Sequence, residues 1–367
     1  MLRRLSIGLL ASAVAIAPLP LKAQDGSAED LGDVMSISLK DVVKPTFGFQ
    51  GALQGAGTPN QAGIGGFLPL SVGDNSVWFL DALINANFAD RAGDSSIINT
   101  DVAGTTVSTS TRMGYRWLNG DRSWMFGING GYDSRPMNTG GTDTGINVIG
   151  TEKSAFFQQV AVNAEAVSNN WNVNAYALVP IGEVEQRINW FYTSGALDTY
   201  GLDVGYFITP ELNASVGYYY QSGDSGKADA SGVLGRLAYE MTSGVTAGVN
   251  LSYDEAFDTR VSADIEVRFG GSSTEDQRKQ VQELPMINAL ITTPSNRTIR
   301  VYDHALFNDC EEGAGANSGT VCTPEGAGDL GGLPPPPGSP ENERCADINC
   351  KPESDLPAKE SNFTMFR

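Results

Sequence analysis

Between Thr46 and Gly271 large apolar side chains recur at every second position, in about twelve short segments broken by Gly, Asn, Asp and Ser. The stretch STRMGYRWLNGDRSWMFGINGGYDSRP, residues 110–136, shows the pattern most fully. Its first half sets Met113, Tyr115 and Trp117 on one face against Arg112, Gly114 and Arg116 on the other. Its second half sets Trp124, Phe126, Ile128 and Tyr132 against Gly127, Asn129, Gly131 and Asp133, across a short Asn-Gly-Asp turn. Period two over such lengths is a strand signal. Two architectures satisfy it: a sandwich with one face in bulk water, or a membrane barrel with lipid outside and a wet lumen inside.

Loop lengths separate the two. The segments run approximately 46–56, 62–73, 76–90, 107–119, 123–135, 155–168, 171–183, 196–208, 212–222, 231–242, 244–255 and 259–270. Even-numbered joints are short, as at Asp74-Asn75, Asn169-Asn170, Pro210-Glu211 and Ser243-Gly244. The long joints, Asp90 to Val107, Arg135 to Ser154, Glu183 to Ala196 and Ser222 to Ser231, all fall on the other side. Outer-membrane barrels have short periplasmic turns and longer extracellular loops, whereas a sandwich has no reason to segregate them. Aromatics near strand ends, among them Trp117, Trp124, Trp171, Tyr206, Tyr220, Tyr253 and Phe269, match interfacial girdles. The fold class expected is therefore all-β: a transmembrane antiparallel up-and-down barrel of about twelve strands over 46–271, followed by a largely irregular C-terminal tail.

The remaining chain divides around that barrel. Arg3 and Arg4 precede an apolar run from Ile7 to Leu19, with Ala23 at a cleavage position, so 1–23 reads as a secretory signal peptide. A bacterial outer-membrane location follows, with lipid and the barrel-assembly machinery as partners. Residues 24–45 are a periplasmic lead-in whose Leu31, Val34, Met35, Leu39, Val42 and Val43 allow a partly amphipathic helix. An even strand count leaves both barrel ends in the periplasm. A net charge of −19 argues against nucleic acid as a partner.

Inward-facing charges define the candidate lumen: Arg112, Arg116, Asp133, Arg236, Glu240, Asp254, Asp264, Glu266 and Arg268. The last segment is the plainest case, with Val261, Ala263, Ile265, Val267 and Phe269 alternating with Ser262, Asp264, Glu266 and Arg268. A hydrolase would need a base beside a nucleophile, and the single histidine, His304, lies beyond the last strand, so no enzyme is expected. No phosphate loop or dinucleotide fingerprint is present, and no cofactor or metal is expected.

Several segments resemble a known family. FLPL (67–70), WFLDALINANF (78–88), MGYRWL (113–118), WMFGINGGYDSR (124–135) and WNVNAYALVPIG (171–182) look like the β-domain of inverse autotransporters, the intimin and invasin family. That resemblance rests on Gly114-Tyr115-Arg116, Gly127-Ile128-Asn129 and Tyr132-Asp133 and covers most of 46–271. It implies a barrel that anchors the protein and a C-terminal linker threading the pore to show a passenger outside, as an adhesin does. The usual large passenger is not expected here, since residues 272–367 contain no long run of alternating strands.

Residues 272–309 correspond to the linker or a pore plug, and Arg297 and Arg300 are expected to face Asp254, Asp264 and Glu266. A solvated periplasmic segment is the bland alternative. All four cysteines, Cys310, Cys322, Cys345 and Cys350, lie in the Cys/Pro-rich tail 310–367, and an oxidising compartment predicts two disulfides, Cys310–Cys322 and Cys345–Cys350. The expected function is an anchor holding or exposing its tail for surface attachment or contact with a surface or periplasmic partner. The rivals are a small cation-preferring channel lined by Arg112, Arg116, Arg236 and Glu240, and a purely structural barrel.

Overall fold

Twelve alternating strands hydrogen-bond into a ring. The computed structural model describes residues 35, 37–54, 58–88, 105–139, 153–187, 192–223, 228–242, 244–270, 283–305, 307–311 and 321–324. Ten of the ring strands come in two runs, β1 (Thr46–Leu53) to β7 (Trp171–Ile181) and β12 (Ala230–Thr242) to β14 (Asp258–Gly270), through β2 (Gln61–Val72), β3 (Ser76–Asn87), β4 (Thr106–Leu118), β5 (Trp124–Thr139), β6 (Lys153–Ser168) and β13 (Val245–Asp254). Between the runs lie β10 (Asp198–Thr209) and β11 (Leu212–Ser222), which complete the ring. All neighbours are antiparallel, and β1 closes on β14 from Thr46↔Gly270 to Leu53↔Ala263. Closure leaves no unpaired edge, the condition for strands to cross lipid.

The alternation sorts side chains inside out. In β4 the inward set Thr106, Ser108, Ser110, Arg112 and Arg116 is buried, while Val107 and Met113 are exposed. Val216, Val162, Val261, Phe47 and Phe49 are all exposed on the outer surface. A water-facing exterior of this kind would forgo about 25 cal/mol per Å² of apolar area, so the solvent it suits is hydrocarbon.

Aromatic rings mark the edges of that belt. At the short-turn end Trp78, Tyr115, Trp117, Phe126 and Trp124 stack in one row with centroids 4.8, 5.5, 5.9 and 6.2 Å apart. Trp171 and Tyr206 continue it, as do Phe47 and Phe269. Exposed Tyr200, Tyr220 and Tyr253 stand at the opposite end.

The short turns are laced together. Arg122 adopts a positive φ of 53° in the β4–β5 turn and donates from Nε to Asn75 Oδ1 (2.9 Å) and from Nη2 to the Asp74 carbonyl (2.9 Å). In the same turn the Ser123 hydroxyl and amide bond the Asp121 carboxylate and hold its pKa below the usual range.

The long-loop end departs from the expected pattern. The connection between β7 and β10, read from sequence as a loop, carries β8 (Glu185–Arg187) and β9 (Tyr192–Ala196). They form a three-stranded sheet with β15 (Val301–Ala305), from the segment after the barrel. Met137, Ala155, Phe157, Ala196, Ile299 and Val301 make a small apolar core beneath it. Within the tail, expected to be largely irregular, β16 (Phe307–Glu311) and β17 (Val321–Pro324) pair as a short hairpin. Among the described residues of the lead-in, Leu39–Val42 form a helical turn. The signal peptide, Cys345 and Cys350 lie outside the described residues.

Candidate functional site

A segment beyond β14, residues 283–305, passes through the barrel. It begins at the short-turn end, where Pro285–Asn288 form a helical turn followed by a 3-10 turn, Ala289–Ile291. Proline at the first helical position suits a helix start, and Pro294 forces the residue before it into an extended state. Met286, Ile287 and Leu290 are fully buried. Asn288 Nδ2 donates to Glu240 Oε2 (3.2 Å) and Arg268 Nη1 to the Ile291 carbonyl (3.2 Å), both near the short-turn ends of their strands. Residues 292–300 then run to the long-loop end, where β15 pairs with β9 from Val301↔Ala196 to Ala305↔Tyr192.

An extended chain alone in a lumen has backbone carbonyls with no ladder partner, and burying them unpaired is costly. Wall arginines supply the donors in order of height. Arg116 Nη1 reaches the carbonyls of Thr292 (2.6 Å) and Leu290 (3.3 Å). Arg112 Nη2 reaches the Asn296 carbonyl (3.1 Å), and Arg135 Nη1 the Ile299 carbonyl (2.9 Å). Carboxylates behind two of these guanidiniums aim them. Arg112 is bidentate to Asp133 (2.7 and 2.8 Å), which also accepts from Ser110 Oγ (2.5 Å) and Gln159 Nε2 (2.7 Å). Arg116 bonds Glu165 through Nε (3.0 Å) and lies 4.5 Å over the Phe79 ring.

The segment returns two arginines to the wall. Arg297 pairs with Asp81 and donates to Ser110 Oγ (2.7 Å). Arg300 donates to Gln221 Oε1 (2.5 Å) and stacks 4.7 Å from the Tyr219 ring. Asp254, 3.9 Å from Arg300, is the hub there: it accepts from Tyr219 Oη (2.5 Å), Arg260 Nη2 (2.6 Å) and the backbone amides of Ala256 and Phe257.

These contacts correct the expected pairing. Arg300 does approach Asp254, but Arg297 meets Asp81 on β3 instead of Asp264 or Glu266. Asp264 is held by Arg236 (2.5 and 2.9 Å) and Glu266 by Arg268 (3.3 Å), so both carboxylates already have partners on their own side of the wall. Among the nine charged residues read as lumen-facing, Arg112, Arg116, Asp133 and Asp254 are buried; the first three sit under the threaded segment and Asp254 in the hub beside Arg300, not in open water. Asp81, Ser110, Arg135, Glu165 and Gln221 were not expected from the sequence. Asp81 and Glu165 carry the inward phase of their strands, which was the available signal.

Glycines make room for the clamps. Arg112 lies opposite Gly131 and Arg116 opposite Gly127 in the β4–β5 register. A Cβ on Gly131 would sit 1.8 Å from the Thr111 carbonyl oxygen, and one on Gly127 3.0 Å from Arg116 Cγ. Gly131→Val is therefore expected to force the strands apart and cost about 1–3 kcal/mol, read as a lower urea midpoint of the folded barrel in detergent. An unchanged midpoint would mean that the wall is less tightly packed there.

Neither a family model nor a curated protein matches the sequence. Solved structures do match in shape. One, described as "Unveiling the Mechanism Behind the in-meso Crystallization of Membrane Proteins", is 12% identical, with the alignment covering 70% of this chain and 100% of that one at a TM-score of 0.51. The Acinetobacter baumannii outer membrane protein Omp33 is 12% identical over 62% of this chain and 99% of that one, with a TM-score of 0.36. The KdgM porin is 10% identical over 61% and 99%, with a TM-score of 0.35. Identities this low speak to fold alone. Closed antiparallel topology, an apolar exterior and segregated short turns make this chain a bacterial outer-membrane β-barrel.

Proposed function

We propose that the barrel is an anchor of the inverse-autotransporter kind, which carries its own C-terminal segment from the periplasmic end to the cell surface and holds it there. The supporting observation is the path of residues 283–305, bonded at Asn288 and Ile291 to one end of the ring and at Val301–Ala305 to β9, in the connection at the other end. The segments quoted for the intimin and invasin resemblance agree with that path. The tail beyond β15 is then the part offered for attachment or for a surface partner.

An antibody against residues 325–367, applied to intact cells making the full chain, tests this reading. Binding without permeabilisation is expected. Binding that appears only after the outer membrane is opened would place the tail in the periplasm and reject the display role.

The same reading includes a Cys310–Cys322 disulfide. Their Cα positions are partners in the β16–β17 register, the juxtaposition such a bridge needs. Peptide mapping of the non-reduced protein is expected to recover these two cysteines in one linked species, and reduction to separate them. Closing a loop of this size is worth about 3 kcal/mol to the hairpin.

A further inference from the structure

The threaded segment leans on one side of the lumen, touching the other wall mainly near its ends, at Glu240, Arg268 and Gln221. Its clamps come chiefly from β3, β4 and β5, through Asp81, Ser110, Arg112, Arg116 and Arg135. The wall formed by β10–β14 and β1 faces it across a cavity of about 560 Å³. The lining of this cavity begins at Pro210 and Glu211, in a short turn, and reaches Leu53, Gln54 and Gln61 in the β1–β2 hairpin at the far end. It therefore touches both ends of the ring. Drawn out along an apolar belt of about 25 Å, the volume gives the centres of water molecules a cross-section of about 20 Å², a passage a few waters wide and far narrower than an empty pore.

Charge along this path is unbalanced. Each guanidinium in the lining has a carboxylate: Arg116 has Glu165, Arg236 has Asp264, Arg268 has Glu266 and Arg297 has Asp81. Asp203, Glu211 and Glu240 line the same space without an ion pair among the described residues. Asp203 stands in mid-barrel on β10 opposite Gly217, where a Cβ would fall 2.1 Å from its Oδ1. That oxygen is buried against the strand without a hydrogen-bond partner among the described residues, and the neutral amides of Asn174 and Asn296, not a cation, hydrogen-bond the carboxylate. Unpaired carboxylates in a narrow, low-dielectric passage concentrate cations and repel anions.

We infer that the barrel, with its segment in place, conducts small monovalent cations along this side path. Ion permeation goes beyond the display role and does not depend on where the tail ends. Display can fail in the antibody experiment while this conductance persists, and the reverse.

The test uses the full-length protein in planar bilayers under a KCl gradient, with the heat-shifted migration of the folded barrel checked for every variant. Small, steady conductance with a reversal potential displaced toward that of K⁺ is expected. Asp203→Asn, close in shape, should lower the K⁺/Cl⁻ permeability ratio by about fivefold or more, the effect of one unit charge about 4 Å from the path in a water-like dielectric. Ser215→Trp, which projects into the same space, should abolish the conductance. Electrically silent folded protein, a reversal potential at or on the anion side of zero, a ratio unmoved by Asp203→Asn, or currents indifferent to Ser215→Trp would each overturn the inference. Steps as large as those of an empty twelve-stranded pore would overturn it too, since the segment would then have left the lumen.

Discussion

Replacing Arg112 with methionine is expected to lower the unfolding free energy by about 3–5 kcal/mol, because it leaves a buried carboxylate without its counter-charge. Arg112 and Asp133 are 0% and 1% exposed, and their contact is bidentate. The same guanidinium also serves the Asn296 carbonyl, so its loss unties the segment at mid-height. Arg112→Lys should recover only part of the loss, since an ammonium cannot span both carboxylate oxygens and a third acceptor in one plane. Arg112→Met with Asp133→Leu should recover more, because it removes both charges together. Urea unfolding of the folded barrel in detergent measures all three. Equal loss in the single and double variants would show that the pair does not act as a unit.

Val216→Arg is expected to cost about 2–4 kcal/mol when the protein sits in lipid. Val216 is 69% exposed and is the fifth of eleven residues in β11, well inside the apolar belt. A water-exposed valine changed to arginine would instead shift stability by about 0.5 kcal/mol or less. Unfolding in lipid vesicles, with Val216→Leu as the apolar control, distinguishes the two solvents. If the arginine variant matched the wild type, that face would not contact hydrocarbon.

Much of the fold was legible because lipid enforces strict alternation. All twelve ring strands fall where the period-two segments lie, with ends displaced by a few residues. The displacements have a physical cause at β5 and β6. The period-two segments end at Arg135 and resume at Ala155, yet the strands pair on to Thr139 and Lys153. There Asp133, Arg135 and Met137 are buried on the inward phase, where Ile299 and its neighbours pack on the hairpin, and Ser134 between them is buried with its hydroxyl bonded to Thr109. Strands β8 and β9 were missed for a related reason: β9, on which β8 pairs, takes its other neighbour, β15, from more than a hundred residues later in the chain.

The lumen was legible only as a set of charges. Arg112, Arg116 and Asp133 stood on the inward phase, and Arg297 and Arg300 announced a segment that seeks carboxylates. Which wall the segment lies against was not readable. That choice depends on backbone carbonyls at Thr292, Asn296 and Ile299, which have no side-chain signature, and on Gly127 and Gly131 hollowing the wall beside the arginines.

Residues 283–300 lie inside the ring, and both the display path and the side passage require it. Asn174 Nδ2 and Ser295 Oγ are 3.4 Å apart across the lumen, and neither takes part in the arginine clamps. With the four native cysteines changed to serine, Asn174→Cys and Ser295→Cys should be joined within one chain by a short thiol crosslinker in native outer membranes. A folded, heat-shifting barrel that forms no such crosslink, or only links between chains, would contradict the threaded path.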